Sequence, residues 1–234
     1  MTRDEARMRV MEVGVVPVIR VSSPRHAIAA AKAVHAGGIS IVEITMTVPG
    51  AVEVITELSN KMGKDVLVGA GTVLDATTAQ QCLDAGAEFL VSPGFDPEIV
   101  ELAQRQDKLV IAGALTPTEV IAAWKAGSDF VKVFPCSPVG GPKYIKALRG
   151  PLPHIPLVAT GGINLCTAAE FIYAGAAALG VSGELSSMAA LESGDTTSIT
   201  SAARRYVAVV REARVNSDPV MAKVEPSPGV ASYE

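Results

Sequence analysis

Two charged residues sit inside runs that otherwise look built for burial. In FVKVF, Lys132 stands between Val131 and Val133, and in IVEIT, Glu43 stands between Val42 and Ile44. If both runs are β-strands, alternation puts Phe130, Lys132 and Phe134 on one face, and Ile41, Glu43 and Thr45 on one face. Burial disfavours the charged form of an amine, so such a lysine has a larger neutral, nucleophilic fraction at neutral pH than one in water. A neutral lysine adds to carbonyl carbon. The protonated Schiff base that follows is an electron sink, and a carboxyl group beside it can move the protons needed to make or break an adjacent C–C bond. The competing account of the same two residues is a structural ion pair across the interior.

The elements that must position them can be read from a repeated local grammar. In HAGGISIVEIT, DAGAEFLVSP, KAGSDFVKVFP and YAGAAALGVS, a helical stretch ends in Ala-Gly and a short apolar run follows. Gly37, Gly86, Gly127 and Gly175 stand where a helix takes a left-handed C-terminal cap, and the runs have the length and β-branching of buried parallel strands. The glycines recur at about twice the length of a βα unit, so a further strand belongs between each pair; VVPVIR, VLVGAGT, LVIAGALT and PLVATGGI supply the remaining four. Eight strands are predicted near 15–20, 41–45, 66–71, 89–92, 109–113, 130–134, 157–160 and 177–181. Helices are predicted over Pro24–Ala36, Pro49–Lys61, Thr77–Ala85, Pro97–Gln106, Thr118–Ala126, Lys143–Leu148 and Thr167–Ala174. This alternation predicts a single-domain (β/α)8 TIM barrel over residues 1–215. A doubly wound open sheet is the alternative, but the turn after its first strand reads RVSSPR instead of GxGxxG.

In a barrel the C-terminal strand ends face the active site. Arg20, Thr45, Thr47, Thr72 and Thr160 all fall there. Arg20 suits a substrate carboxylate held by two parallel hydrogen bonds, or equally a rim arginine tied to a loop carboxylate; each threonine, taken singly, suits a cap or turn. Gly161 and Gly162 in ATGGIN, and Ser182 and Gly183 in GVSGE, end strands seven and eight, the usual phosphate site of this fold. A tight turn would explain the Gly-Gly pair as well. Cys136 borders the site or merely packs, and His35 and His154 read as solvated.

Composition narrows the function classes. The 234 residues carry 20 Lys+Arg against 24 Asp+Glu, a net charge of −4, with 49% apolar and only 4% aromatic residues. No basic cluster tracks a phosphate backbone, so neither nucleic acid nor a membrane surface is an expected partner. No run approaches the roughly 20 apolar residues of a membrane span, and MTRDEARMRVMEV lacks the apolar core of a signal peptide, which together predict a cytoplasmic protein. Cys82, Cys136 and Cys166 are scattered, as are His26, His35 and His154, so no metal site and no cofactor are expected. Residues 216–234 are Pro/Ser-rich and read as a flexible tail.

The series PVIR, GGISIVEITMTVPGA, VGAGTVLD, FLVSPG, GALTPTE, FVKVFP and VATGGI, from about residue 10 to about 213, resembles the family of 2-keto-3-deoxy-6-phosphogluconate (KDPG) and 4-hydroxy-2-oxoglutarate (KHG) aldolases. The resemblance implies a class I, metal-independent Schiff-base aldolase on a (β/α)8 barrel, a homotrimer, acting on a phosphorylated 2-keto acid and releasing pyruvate, as in the Entner–Doudoroff cleavage. Carried onto this chain, it implies Lys132 as the Schiff-base lysine, Glu43 as acid/base, and Thr160, Gly161 and Gly162 as substrate and phosphate ligands. Thr72, Pro93 and Phe134 would line the pocket. Where some members carry an arginine four residues after the glutamate, this chain has Thr47, and Arg20 on the first strand is the substitute for holding the pyruvate carboxylate. In the last loop, where members often read Gly-Ser, this chain reads Ser182-Gly183, leaving Ser182 or the Gly183 N–H to meet phosphate. A KHG or phosphogalactonate aldolase using the same lysine, and a barrel that binds a phosphorylated sugar acid without turnover, are the alternatives.

Overall fold

Eight short, Val/Ile/Ala-rich runs form one continuous hydrogen-bonded cylinder in the computed structural model, which describes residues 1–217. The strands are β1 (Val15–Ile19), β2 (Ile41–Thr45), β3 (Leu67–Gly71), β4 (Phe89–Val91), β5 (Leu109–Ala114), β6 (Phe130–Val133), β7 (Leu157–Thr160) and β8 (Ala178–Val181). Each pairs in parallel with its neighbours in chain order, and β8 closes on β1. The expected (β/α)8 architecture is therefore what the chain adopts. Every strand residue is buried, because inward side chains fill the cylinder and outward ones pack under helices. The low aromatic content is matched by helix faces of small residues: α2 turns Ala27, Ala30, Ala31, Ala33 and Val34 inward, which lets helix and sheet approach closely.

Among the described residues, ten α-helices accompany the strands: α1 (Arg3–Val13), α2 (Pro24–Ala36), α3 (Ala51–Met62), α4 (Ala76–Asp84), α5 (Pro97–Arg105), α6 (Pro117–Lys125), α7 (Pro142–Arg149), α8 (Ala168–Tyr173), α9 (Met188–Ser193) and α10 (Thr197–Asn216). The seven predicted helices lie within one or two residues of α2 to α8. The predicted helix at Pro49 starts instead at Ala51, since Pro49 and Gly50 form the turn and Gly50 is left-handed at φ 65°.

Three helices are absent from the sequence reading. Helix α1 packs against β1, β2, β5 and β8 at the N-terminal end of the barrel. Arg3 Nε holds the buried Asp129 carboxylate at 2.8 Å and its Nη2 donates to Gly127 O at 2.9 Å. With that end covered, the C-terminal strand ends are left for chemistry. Helix α10 is the eighth barrel helix and buries Ile199, Ala202, Ala203, Tyr206, Val210 and Ala213, a stripe at helical spacing. It extends to Asn216, so one residue of the expected tail belongs to this helix and Ser217, whose N–H donates to Ala213 O, caps it; the rest, 218–234, lie outside the described residues.

One expected cap is corrected. Gly86, Gly127 and Gly175 take positive φ, but at HAGG the left-handed residue is Gly38 (φ 93°), whereas Gly37 (φ −84°) stays in the last turn of α2. Gly37 is small for another reason: a Cβ there would overlap the Ala203 methyl, so it is where α10 crosses α2.

Candidate active site

Strand register puts Glu43 level with Val18 and Gly69, and Lys132 level with Gly113 and Val158. Both side chains point into the cylinder and both are buried, at 2% and 6% exposure. Each also leans toward the C-terminal mouth. A Cβ on Gly71, one layer above Glu43, would overlap the Glu43 carboxyl, so the carboxyl occupies the space which that glycine leaves. Lys132 Nζ lies 5.2 Å from the centre of the ring of Phe134, the residue just past the end of β6, within cation–π range. Among the described residues no ion pair joins Lys132 to Glu43, and Glu43 Oε1 is buried without a hydrogen-bond partner.

That geometry sets the acidity of Glu43. Burial pushes its carboxyl above the ordinary carboxylate range, while the nearby positive charges of Lys132 and then Arg20 pull it part of the way back. The result is a carboxyl group able to hold or release a proton next to an amine, with one oxygen uncommitted. Gly71→Ala is expected to lower turnover at least about tenfold and to destabilise the barrel by about 1–3 kcal/mol, because the added methyl and the carboxyl compete for one volume. Steady-state rates and thermal melts check both.

Around this pair the strand ends supply polar groups at two places. On the β1–β3 side, the exposed Arg20 donates from Nη2 to Thr72 Oγ1 at 3.4 Å. Thr72 holds its hydroxyl there from a left-handed backbone, φ 58°, a conformation that costs a β-branched residue energy and that clusters at functional sites. Thr45 Oγ1 donates to Ile19 O at 3.1 Å; its single proton is thereby used, so at 2.8 Å the exposed Thr47 hydroxyl donates to Thr45. Thr47 thus braces the end of β2 beside Arg20. Arg20 makes no ion pair among the described residues.

On the β6–β8 side, the backbone after β6 follows β7 past its end. Cys136 N donates to Thr160 O at 2.9 Å and Ser137 N to Gly161 O at 3.1 Å, beyond the cis Phe134–Pro135 peptide. Cys136 itself is buried with its thiol on Val133 O at 3.1 Å, a packing residue. Gly161 and Gly162 have φ of 97° and 80°, and the open backbone of Gly162 reaches solvent. Across the β7–β8 ladder, Thr160 pairs with Gly180, where a Cβ would overlap the Thr160 hydroxyl. Ser182 is half-buried and shares a 3.2 Å hydrogen bond with Ser186, and Gly183 opens to solvent. Of the two expected solvated histidines, His154 is exposed and edges against Trp124, while His35 is half-buried at the end of α2.

Sequence reasoning missed two supports. A Cβ on Gly113, level with Lys132, would overlap the Pro93 carbonyl, so this glycine lets the loop after β4 lie directly against β5. Buried Ser92 pins that loop, accepting from Gly113 N at 3.3 Å and donating to Gly94 O at 2.6 Å. The available signal was glycine inside a strand, which marks close approach of a neighbour. Among the described residues no three His, Cys, Asp or Glu side chains cluster as metal ligands would, and no helix is long and apolar enough to cross a membrane.

Residues 5–202 match the model of the aldolase family described as KDPG and KHG aldolase. A 2-dehydro-3-deoxy-phosphogluconate aldolase of Treponema pallidum is 38% identical over 160 residues, 68% of this chain and 76% of that protein. A solved structure described as native KDPGal superposes with a TM-score of 0.79 at 31% identity, covering 86% of this chain and 96% of that one. The KDPG aldolase of Legionella pneumophila, solved with pyruvate captured as a covalent carbinolamine intermediate, also reaches 0.79, at 28% identity and 85% and 96% coverage. The chain belongs to the KDPG and KHG aldolase family.

Proposed function

We propose that this protein is a metal-independent class I aldolase that cleaves 2-keto-3-deoxy-6-phosphogluconate to pyruvate and glyceraldehyde 3-phosphate, working as a cytoplasmic homotrimer. The observation that carries the reading is a buried lysine and a buried carboxyl of raised pKa, both leaning toward the same open barrel end, without an ion pair between them. The Lys132 amine adds to the C2 ketone, and loss of water gives the protonated Schiff base. Glu43 takes the proton of the C4 hydroxyl as the C3–C4 bond breaks. The bonding pair moves to C3 and delocalises onto nitrogen, and the aldehyde departs. Glu43 returns a proton to C3, directly or through water, and hydrolysis of the imine frees pyruvate and Lys132.

The remaining residues divide by charge and position. Arg20 with Thr72 and Thr160 holds the pyruvyl end, and Thr47 braces Arg20's surroundings in place of a second arginine. Pro93 and Phe134 wall the pocket, and Gly161, Gly162, Ser182 and Gly183 meet the phosphate through backbone N–H groups and one hydroxyl. Kinship to a captured pyruvate carbinolamine supports the lysine chemistry. Likeness to a structure described as KDPGal makes the phosphogalactonate epimer the second substrate to try, and the family description adds 4-hydroxy-2-oxoglutarate.

Borohydride added with pyruvate is expected to leave one covalent three-carbon tag, on Lys132, by peptide mass analysis. No tag, or a tag on another lysine, overturns the mechanism and favours a barrel that only binds its ligand. A panel of the three keto acids, read by pyruvate release with and without chelator, then fixes substrate and metal requirement.

A further inference from the structure

The loop after β8 has an oddity. Directly beyond Ser182 and Gly183 comes a carboxylate, Glu184, at a pocket end that the aldolase reading assigns to phosphate. Yet its carboxylate is held. The Tyr206 hydroxyl, from the buried stripe of α10, donates to Glu184 Oε2. Tyr206 is fully buried and α10 packs directly on the one-turn 3₁₀ segment Gly183–Ser186. Burial, and then the Glu184 carboxylate itself, push the phenol far above its ordinary pKa, so the hydroxyl keeps its proton.

Inside the same turn, Leu185 N closes on Ser182 O at 2.8 Å, and the Ser182 and Ser186 hydroxyls meet at 3.2 Å. Gly183 has nothing within 4 Å of where a Cβ would stand, so its face is open toward solvent. The turn therefore has an anchored side, where Glu184 meets α10, and an open side, where Gly183 is exposed just beyond the end of β8, the strand whose Gly180 pairs with Thr160.

We propose that Tyr206 is a positioning residue for the outer pocket: by tethering Glu184 to α10 it keeps a negative charge off the turn that meets the anionic end of the substrate. The inference rests on the aldolase reading above and adds to it a residue outside the pocket that sets preference for phosphorylated over unphosphorylated keto acid. Without the tether, the freed carboxylate shares space with Ser182 and Gly183 and repels a dianion. An uncharged substrate end is indifferent to it.

The test is a comparison of two substrates in four proteins. Tyr206→Phe is expected to raise KM for KDPG about three- to tenfold with little change in kcat. Its constants for 2-keto-3-deoxygluconate, the same acid without phosphate, are expected to stay put. Glu184→Gln, whose amide oxygen still accepts from Tyr206, should behave like the unaltered chain. The double variant Tyr206→Phe/Glu184→Gln should recover the KM for KDPG, because the loose side chain is now neutral. A KM for KDPG that does not move in Tyr206→Phe, a parallel loss with both substrates, or no recovery in the double variant each overturns the proposal, the second and third pointing to a merely structural tyrosine. If the unaltered chain cleaves neither acid, the aldolase reading itself fails and takes this inference with it.

Discussion

Lys132→Met is expected to lower turnover by about four orders of magnitude or more, to abolish the pyruvate–borohydride tag, and to leave the melting temperature unchanged or higher. The first two results follow from chemistry: without the amine no Schiff base forms, and the C3–C4 bond has no electron sink. The third follows from packing. Lys132 is 6% exposed and makes no ion pair among the described residues, and its amine stands in the barrel interior 5.2 Å from the centre of the Phe134 ring, where a charge has lost most of its water. Methionine matches most of the lysine stem and carries no charge to desolvate. A structural ion pair would give the opposite pattern. Breaking one leaves an uncompensated buried carboxylate at a cost of about 3–5 kcal/mol, with activity falling only as far as folding does. Melting curves read beside the rate therefore separate the two accounts of this lysine in one variant.

The same site shows what a sequence discloses and what it withholds. Lys132 and Glu43 were legible because strand alternation is local: a charge between two β-branched residues is anomalous whatever the rest of the chain does. The strand count was legible for a similar reason, since each βα unit repeats one pattern of cap and apolar run. Contacts made by the closed barrel were not. Arg20 meets Thr72 only because β1 and β3 flank β2 and because Thr72 leaves the strand at φ 58°, neither of which is written in the residues. Gly71 and Gly113 can be noticed as glycines inside strands, but the neighbour that needs their space is not written in the sequence. Helix α1 buries only Ala6 and Val10 along its 11 residues, too thin a stripe to stand out from its charges. The tether between Glu184 and Tyr206 joins an exposed turn to a buried helix face, which sequence spacing does not reveal.

Glu43→Gln divides the reaction at a different point. Turnover is expected to fall by about a hundredfold to ten-thousandfold, the range for losing a positioned acid/base, while borohydride with pyruvate still tags Lys132. The amide keeps the shape that fits over Gly71 but cannot accept the C4 hydroxyl proton, so Schiff-base formation survives and C–C cleavage does not. Stability supplies an independent reading through pH. Because burial raises the Glu43 carboxyl above its ordinary value of 4.5, the folded protein holds that proton at pH values where the unfolded chain has released it. Stability contributed by the protonated carboxyl is complete below the ordinary carboxylate range and is lost as pH rises through the raised folded value. Glutamine does not titrate. Melting temperatures of the two proteins should therefore converge at acid pH, and the variant should gain on the unaltered chain as pH climbs, levelling off once Glu43 is fully ionised. Asp129, whose carboxyl burial also raises, is present in both proteins and cancels in the difference. A variant that instead loses stability as pH rises would mean that the ionised carboxylate is held by Lys132 and Arg20 more strongly than burial opposes it, and Glu43 would then be a permanent counter-ion instead of a group that trades its proton with the substrate.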